Sequence, residues 1–184
     1  MFGFGQLIGI LKKNPKKIVF TEGEDPRILE ASSRLLASYF LHPILIGDEK
    51  RIADAAEESG FNIRGAEIID PEKFDKIDEM VELYCELRKK KGVTPDQARE
   101  VLKQANYFGT MLVKMGFADA LLGGATYSTA DTVRPALQLI KTKPGNNLVS
   151  SCFILVRPSA TGDNEVLAMG DCAININPTE DDLV

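Results

Sequence analysis

Apolar residues fall along the chain in short blocks whose period switches between one and 3.6 residues. Residues 17–21 (KIVFT) and 43–47 (PILIG) are compact β-branched and aliphatic runs, and they predict strands. Between them, residues 27–40 place Ile28, Leu35, Leu36, Tyr39 and Phe40 at helical spacing. Asp25 stands where a helix cap belongs, and Pro26 where a first turn tolerates proline. The same alternation continues. Asp48 precedes a helix carrying Ile52, Ala55 and Ala56 that stops at Gly60, and residues 62–70 read as a third strand. Asp70-Pro71-Glu72 opens a long helix with Phe74, Ile77, Val81 and Tyr84 on one face. Thr94 to Gln97 has the form of a capping box, and one bent helix is expected from there to Gly116. Residues 118–124 (ADALLGG) make a fourth strand. An amphipathic helix over residues 2–13, stopped at Asn14-Pro15, precedes them all.

The strands are apolar throughout rather than alternating, which is the mark of a parallel sheet covered on both faces. Residues 1–145 therefore predict an open, mainly parallel α/β layer with helices on both sides. The pattern then changes. Residues 149–156 and 166–175 are apolar runs joined by a polar turn with no helix between, which predicts an antiparallel hairpin. NPTEDDLV resembles the first turn of a further helix, with acids where the helix dipole favours them. Residues 146–184 are expected to be the start of a second α/β domain, cut short.

Composition narrows the class. The chain has 184 residues, is 44% hydrophobic and 27% charged, and carries a net charge of −5. That profile fits a globular protein and argues against nucleic acid as a partner. Cys85, Cys152 and Cys172 are too few and too scattered for a disulfide framework or a zinc site, and free thiols in a reducing compartment are expected. The basic residues near the N-terminus follow the apolar stretch, the reverse of a secretory signal. No apolar run approaches the ~20 residues needed to span a bilayer, so a cytoplasmic protein without membrane partners is expected.

Candidate chemistry concentrates in GGATYSTADTVRPALQ, residues 123–138. Gly123 and Gly124 let backbone approach a ligand at the end of a strand. Thr126, Ser128 and Thr129 supply small donors before a helix N-terminus, a setting that favours anions. Arg134 can fork onto two phosphate oxygens, and Pro135 is expected to bias it out of the helical region and aim it into a cleft. A plain strand-to-helix turn with a cap and an exposed arginine accounts for the same residues equally well. In FTEGEDPR, residues 20–27, three carboxylates are read as a capped loop beside a cleft rather than a metal site. His42 reads as structural, and Arg88 sits at a helix end where the dipole favours a cation. Neither a dinucleotide fingerprint nor a Walker A sequence occurs, and Ser32-Ser33 have no triad-like partner.

TEGEDPRILEAS, HPILIGD, GGATYSTADTVRPALQLIKTKPG, VSSCFILV and GDCAININPT resemble the phosphotransacetylase family of phosphate acetyl- and butyryltransferases. The likeness runs nearly the whole chain, and the STADTVRPALQ wording is closer to the acetyl branch. The resemblance implies two α/β domains with an isocitrate/isopropylmalate-dehydrogenase-like fold, commonly a homodimer. It implies an active site in the cleft between domains and acetyl transfer between phosphate and coenzyme A. The implied partners are acetyl-CoA, CoA, acetyl phosphate and inorganic phosphate, with no cofactor and no metal. By position, Arg134 matches the family arginine near the reacting phosphoryl group and Arg88 a clamp for CoA phosphate. Thr126, Ser128 and Thr129, behind Gly123 and Gly124, match a phosphate loop.

The family's catalytic aspartate, with its serine and arginine, lies well beyond Val184. The resemblance therefore implies an N-terminal portion that is inactive alone, and apolar surface around residues 153–156 that favours self-association. Two neighbouring readings stay open. One is a phosphate butyryltransferase. The other is a non-catalytic acyl-CoA-sensing domain of the kind fused to malic enzymes.

Overall fold

The computed structural model describes residues 4–146, 149, 151–158, 164–170 and 179–180. The chain divides into two compact units, Ile8–Lys141 and Met1–Leu7 with Thr142–Val184. In the larger unit β1 (Lys16–Phe20), β2 (Leu41–Ile46), β3 (Glu67–Ile69) and β4 (Ala120–Leu122) form one parallel sheet in the order β3-β2-β1-β4. Val19 faces Ile44 on one side and Leu121 on the other.

Alternate strand residues sort into two cores, and that is why these strands are apolar at every position. Val19, Ile44, Ile46 and Ile69 pack against α4 (Ile77–Leu87), α5 (Pro95–Leu102) and α6 (Ala105–Lys114). Phe20 and Leu45, with Ile18 and Ile68 partly buried, pack instead against α2 (Pro26–Ser38) and α3 (Glu49–Ser59). A sheet sandwiched in this way needs both faces apolar. Helix α6 approaches the sheet closely at Gly109. A Cβ there would sit 2.9 Å from Leu121 Cδ1 and 3.0 Å from Ile46 Cδ1 and Val19 Cγ1, so the helix rides directly on the sheet.

Local signals set most helix ends. Asp25 and Asp48 cap α2 and α3 by accepting from the N–H groups of Arg27 and Arg51, and Gly60 closes α3 in the left-handed region. Thr94 and Gln97 exchange both bonds of a capping box at the start of α5. Four expectations need correction. Tyr39 leaves the apolar face: it adopts φ 55°, closes α2, and is 82% exposed. Asp70 opens a turn, accepting from the N–H of Glu72, and α4 begins only at Ile77. The single bent helix is two helices, α5 and α6, broken at Lys103–Gln104. The third strand shortens to Glu67–Ile69, with Arg64 and Ala66 in an isolated bridge.

In the smaller unit β5 (Cys152–Pro158) and β6 (Asn164–Gly170) form the antiparallel hairpin, pairing Phe153 with Met169 and Leu155 with Leu167. Helix α1 (Phe4–Lys13) spans the boundary between the units and ends in Lys12 and Lys13. The turn expected between the hairpin strands, the rest of the second run with Cys172, and most of NPTEDDLV lie outside the described residues.

Candidate functional site at the carboxyl edge of the sheet

The loop from β4 to α7 (Thr129–Pro135) begins at Gly123, where added Cβ bulk would meet Thr21 Oγ1 at 2.6 Å. Gly124 takes φ +109°, a conformation open to glycine at little cost. These two torsional and steric needs turn the loop's N–H groups toward β1. The group they meet is Glu22, only 9% exposed. Its carboxylate accepts from Gly124 N at 3.2 and 3.3 Å, Thr126 N at 2.8 Å and Thr126 Oγ1 at 3.2 Å. Thr21 Oγ1 donates to it as well, at 2.9 Å. From the other side Arg27 donates to the Ala125 carbonyl at 2.8 Å while forking onto Asp25. The loop is thus tied through its N–H groups to an acid and through a C=O to a guanidinium, both from TEGEDPR. Burial raises the Tyr127 phenol above its ordinary value, and the Glu22 charge adds to that.

Helix α7 (Thr129–Pro135) starts at Ser128, whose Oγ accepts from Asp131 N at 3.2 Å and donates to Asp131 Oδ2 at 2.6 Å. Thr129 is its exposed first residue. Arg134 stays helical, contrary to expectation, and its Nη1 lies 3.4 Å from Asp131 Oδ1 with the side chain 56% exposed. The reason is that the cost of Pro135 is offset elsewhere. The Asp131 carbonyl, four residues before the proline, accepts from Asn106 Nδ2 at 2.9 Å instead. Beyond Pro135 the helix widens into a π turn over Ala136–Ile140, the expected adjustment where a proline interrupts the ladder. Ser128, Asp131 and Arg134 therefore form one polar chain along the outer face of α7.

A cleft of about 630 Å³ opens beyond the carboxyl ends of β1 to β3, bordered by Glu22, Gly47, Asp70, Lys103, Ala105 and Thr126 among others. Its acids are matched in part by bases: Arg51 to Glu24 at 2.7 Å, and Lys73 to Asp70 at 2.8 Å and to Asp48 at 3.2 Å. The N–H of Arg51, then the Lys73 ammonium, hold the Asp48 carboxyl below its ordinary value, and Asp70 and Asp48 raise Lys73. Among the described residues no group of three or more His, Cys, Asp or Glu is arranged to hold a metal ion. No helix among them is long and apolar enough to cross a membrane.

The three carboxylates read from residues 20–27 as lying beside a cleft, Glu22, Glu24 and Asp25, border this one, and of the expected phosphate-loop residues Thr126 does. Gly123, Gly124, Thr126, Ser128, Thr129 and Arg134 form one continuous loop and helix, with the arginine on its outward side. Arg88 lies apart, at the end of α4 before the turn Lys89–Lys91, and its Nε is buried without a hydrogen-bond partner. Its helix connects toward α7 through Tyr84, whose ring meets Tyr107 edge-on at 6.4 Å, and through the 3.3 Å bond from Tyr107 to Gln138. Sequence reasoning placed Glu22 beside a cleft but not its bonds to the β4–α7 loop, and it missed Asp131 and Asn106. Asp131 was legible as the fourth residue of an S-x-x-D cap and as the i, i+3 partner of Arg134. The pairings of Glu22 and Asn106 had no signal, because their partners lie 102 and 25 residues away.

A parallel α/β layer with helices on both faces, its last strand-to-helix loop folded around a buried carboxylate, defines the class of fold. The chain belongs to the phosphate acetyl/butaryl transferase family, whose model matches residues 4–184. It is 48% identical over 167 residues to the phosphate acetyltransferase of Bacillus subtilis, covering 91% of this chain and 50% of that one. It is 45% identical over 173 residues to that of Thermoanaerobacterium thermosaccharolyticum, covering 94% and 52%. Among solved structures it is similar to a phosphotransacetylase from Streptococcus pyogenes, with a TM-score of 0.83 and 42% identity over 97% of this chain and 54% of that one. The EutD phosphotransacetylase from Staphylococcus aureus matches with a TM-score of 0.81 and 41% identity, over 97% and 53%. The chain spans about half the length of these relatives.

Proposed function

We propose that this chain supplies the phosphate- and CoA-handling α/β layer of an enzyme that moves an acetyl group between coenzyme A and phosphate. The observation that carries the reading is the family match along residues 4–184, with relatives of about twice the length called phosphate acetyltransferases. Such chemistry makes three demands. A CoA thiol with an ordinary pKa near ~8.5 needs a base to attack at neutral pH. The carbonyl oxygen gains charge as the thiolate adds and needs donors in waiting. The departing phosphate needs cations and hydroxyls.

In this reading Arg134, Ser128 and Thr129 meet the reacting phosphate, and Arg88, with a donor still unspent, clamps a CoA phosphate. Gly123, Gly124 and Thr126 set the loop's shape. The partners are CoA, acetyl-CoA, acetyl phosphate and inorganic phosphate, with no cofactor, in a homodimer of the cytoplasm.

Titration calorimetry of the 184-residue chain with CoA tests the reading. Measurable binding is expected, weakened about tenfold by Arg88→Ala. In a protein of the relatives' full length, Arg134→Ala is expected to lower turnover about a hundredfold. No CoA binding by the chain, together with unchanged turnover in the Arg134 variant, would overturn it.

A further inference from the structure

The β4–α7 loop presents two nearby backbone N–H groups and a hydroxyl to a single point, which is the form of an anion-binding nest. That point is filled from within the chain. Glu22 Oε1 receives Thr126 N, Thr126 Oγ1 and Gly124 N, and Oε2 receives Thr21 Oγ1 and a second contact from Gly124 N. A carboxylate so deeply buried is tolerated because its oxygens are met by donors on both sides. Its loss would leave two inward-facing N–H groups without an acceptor, the costly case for buried polar atoms.

We infer that Glu22 is a positioning residue: its carboxylate fills the anion cradle of the β4–α7 loop and thereby fixes the segment that leads to Ser128 and Arg134. The inference rests on the reading of that segment as the phosphate-handling part of the chain. It also refines that reading. The N–H groups of Gly124 and Thr126 are committed to the chain's own acid, so a substrate oxyanion is met by side chains further along, on α7. Glu22 acts through the loop and touches no reacting atom.

Amide hydrogen exchange of the 184-residue chain, read by NMR at constant pH, tests this. In Glu22→Ala the amides of Gly124 and Thr126 are expected to exchange about tenfold faster or more, while Leu45 in the neighbouring strand is unaffected. Sodium formate, a carboxylate small enough to enter the vacated cradle, should restore protection in that variant and do nothing to the parent. A merely bulky structural role for Glu22 would not be rescued by an anion. Unchanged exchange, or exchange that formate leaves fast, overturns the inference.

Should Glu22→Ala fail to fold, Glu22→Met fills a similar space and offers the donors no oxygen. The same acceleration is expected there, and protection equal to the parent's overturns the inference. Inorganic phosphate added to the parent separates the two claims. It is expected to shift the resonances of Ser128, Thr129 and Arg134 without slowing exchange at Gly124 and Thr126. Slowing at those two amides would mean that phosphate takes the cradle, which overturns the role given to Glu22. No shift anywhere on α7 would overturn the phosphate reading and leave the exchange result standing.

Discussion

The strands of the parallel layer and those of the hairpin are built from the same kind of residue, yet their surroundings differ completely. Val19, Ile44 and Leu45 are 0% exposed, whereas Phe153, Ile154 and Leu155 are 49%, 47% and 45% exposed. In the layer, odd and even positions each find a set of helices. In the hairpin, Phe153 and Leu155 pair with Met169 and Leu167, and Ile154 and Val156 pair with Ala168 and Val166, so apolar side chains stand on both faces of a two-stranded ribbon. An apolar run states that a strand requires cover on both sides. It does not state which elements provide it. The same difference applies to polar groups: the layer's buried acid is satisfied by a loop about a hundred residues away, a solution available only where elements stack.

Substitutions sharpen that contrast. Phe108 is fully buried and meets Phe74 edge-on at 5.3 Å. Phe108→Ala should cost about 3–5 kcal/mol in urea unfolding, whereas Phe153→Ala in the hairpin should barely move the main transition. Equal effects at the two sites would break the comparison. Gly109→Ala drives a methyl into three sheet side chains and should cost about 1–3 kcal/mol, while Gly170→Ala, with nothing within 4 Å, should shift the midpoint little.

Thr94→Ala removes one half of the α5 capping box and should cost about 1 kcal/mol, read from the same melts. The smallest effect concerns acid. Asp25 is held below its ordinary 3.8 chiefly by the Arg27 side chain, Asp48 by the Arg51 N–H, and Asp119 by Lys16. A carboxylate depressed in the fold contributes stability above its unfolded value and loses it as pH falls through the folded one. Urea midpoints should therefore drop between pH 5 and pH 3, and a midpoint that rises would contradict these pairings.

Much of the layer was legible because its signals are local. Asp25, Asp48, Gly60 and the Thr94–Gln97 box act within three or four residues of themselves, and the structure contains each of them. Boundaries failed where a local signal had two uses. Asp70-Pro71 serves a turn as well as it would a helix start. Tyr39 fits the apolar period of α2 but falls at the residue that closes it. The Arg134-Pro135 pair misled for a related reason: proline's demand on the preceding residue is local, but the group that lets α7 continue is Asn106, on another helix.

By itself the sequence determined the alternation of strand and helix, the caps, the need of the strands for cover on both faces, and the family wording of the segment after β4. Those follow from torsional preference and from side chains interacting within a turn or two. Tertiary structure alone decided that Glu22 fills the loop's cradle, that Asn106 answers for the proline, and that Arg134 points along the outside of its helix. A hydrogen bond is specified by positions in space, and the parallel sheet brings residues 22 and 126 together across 104 positions of chain that carry no trace of the pairing.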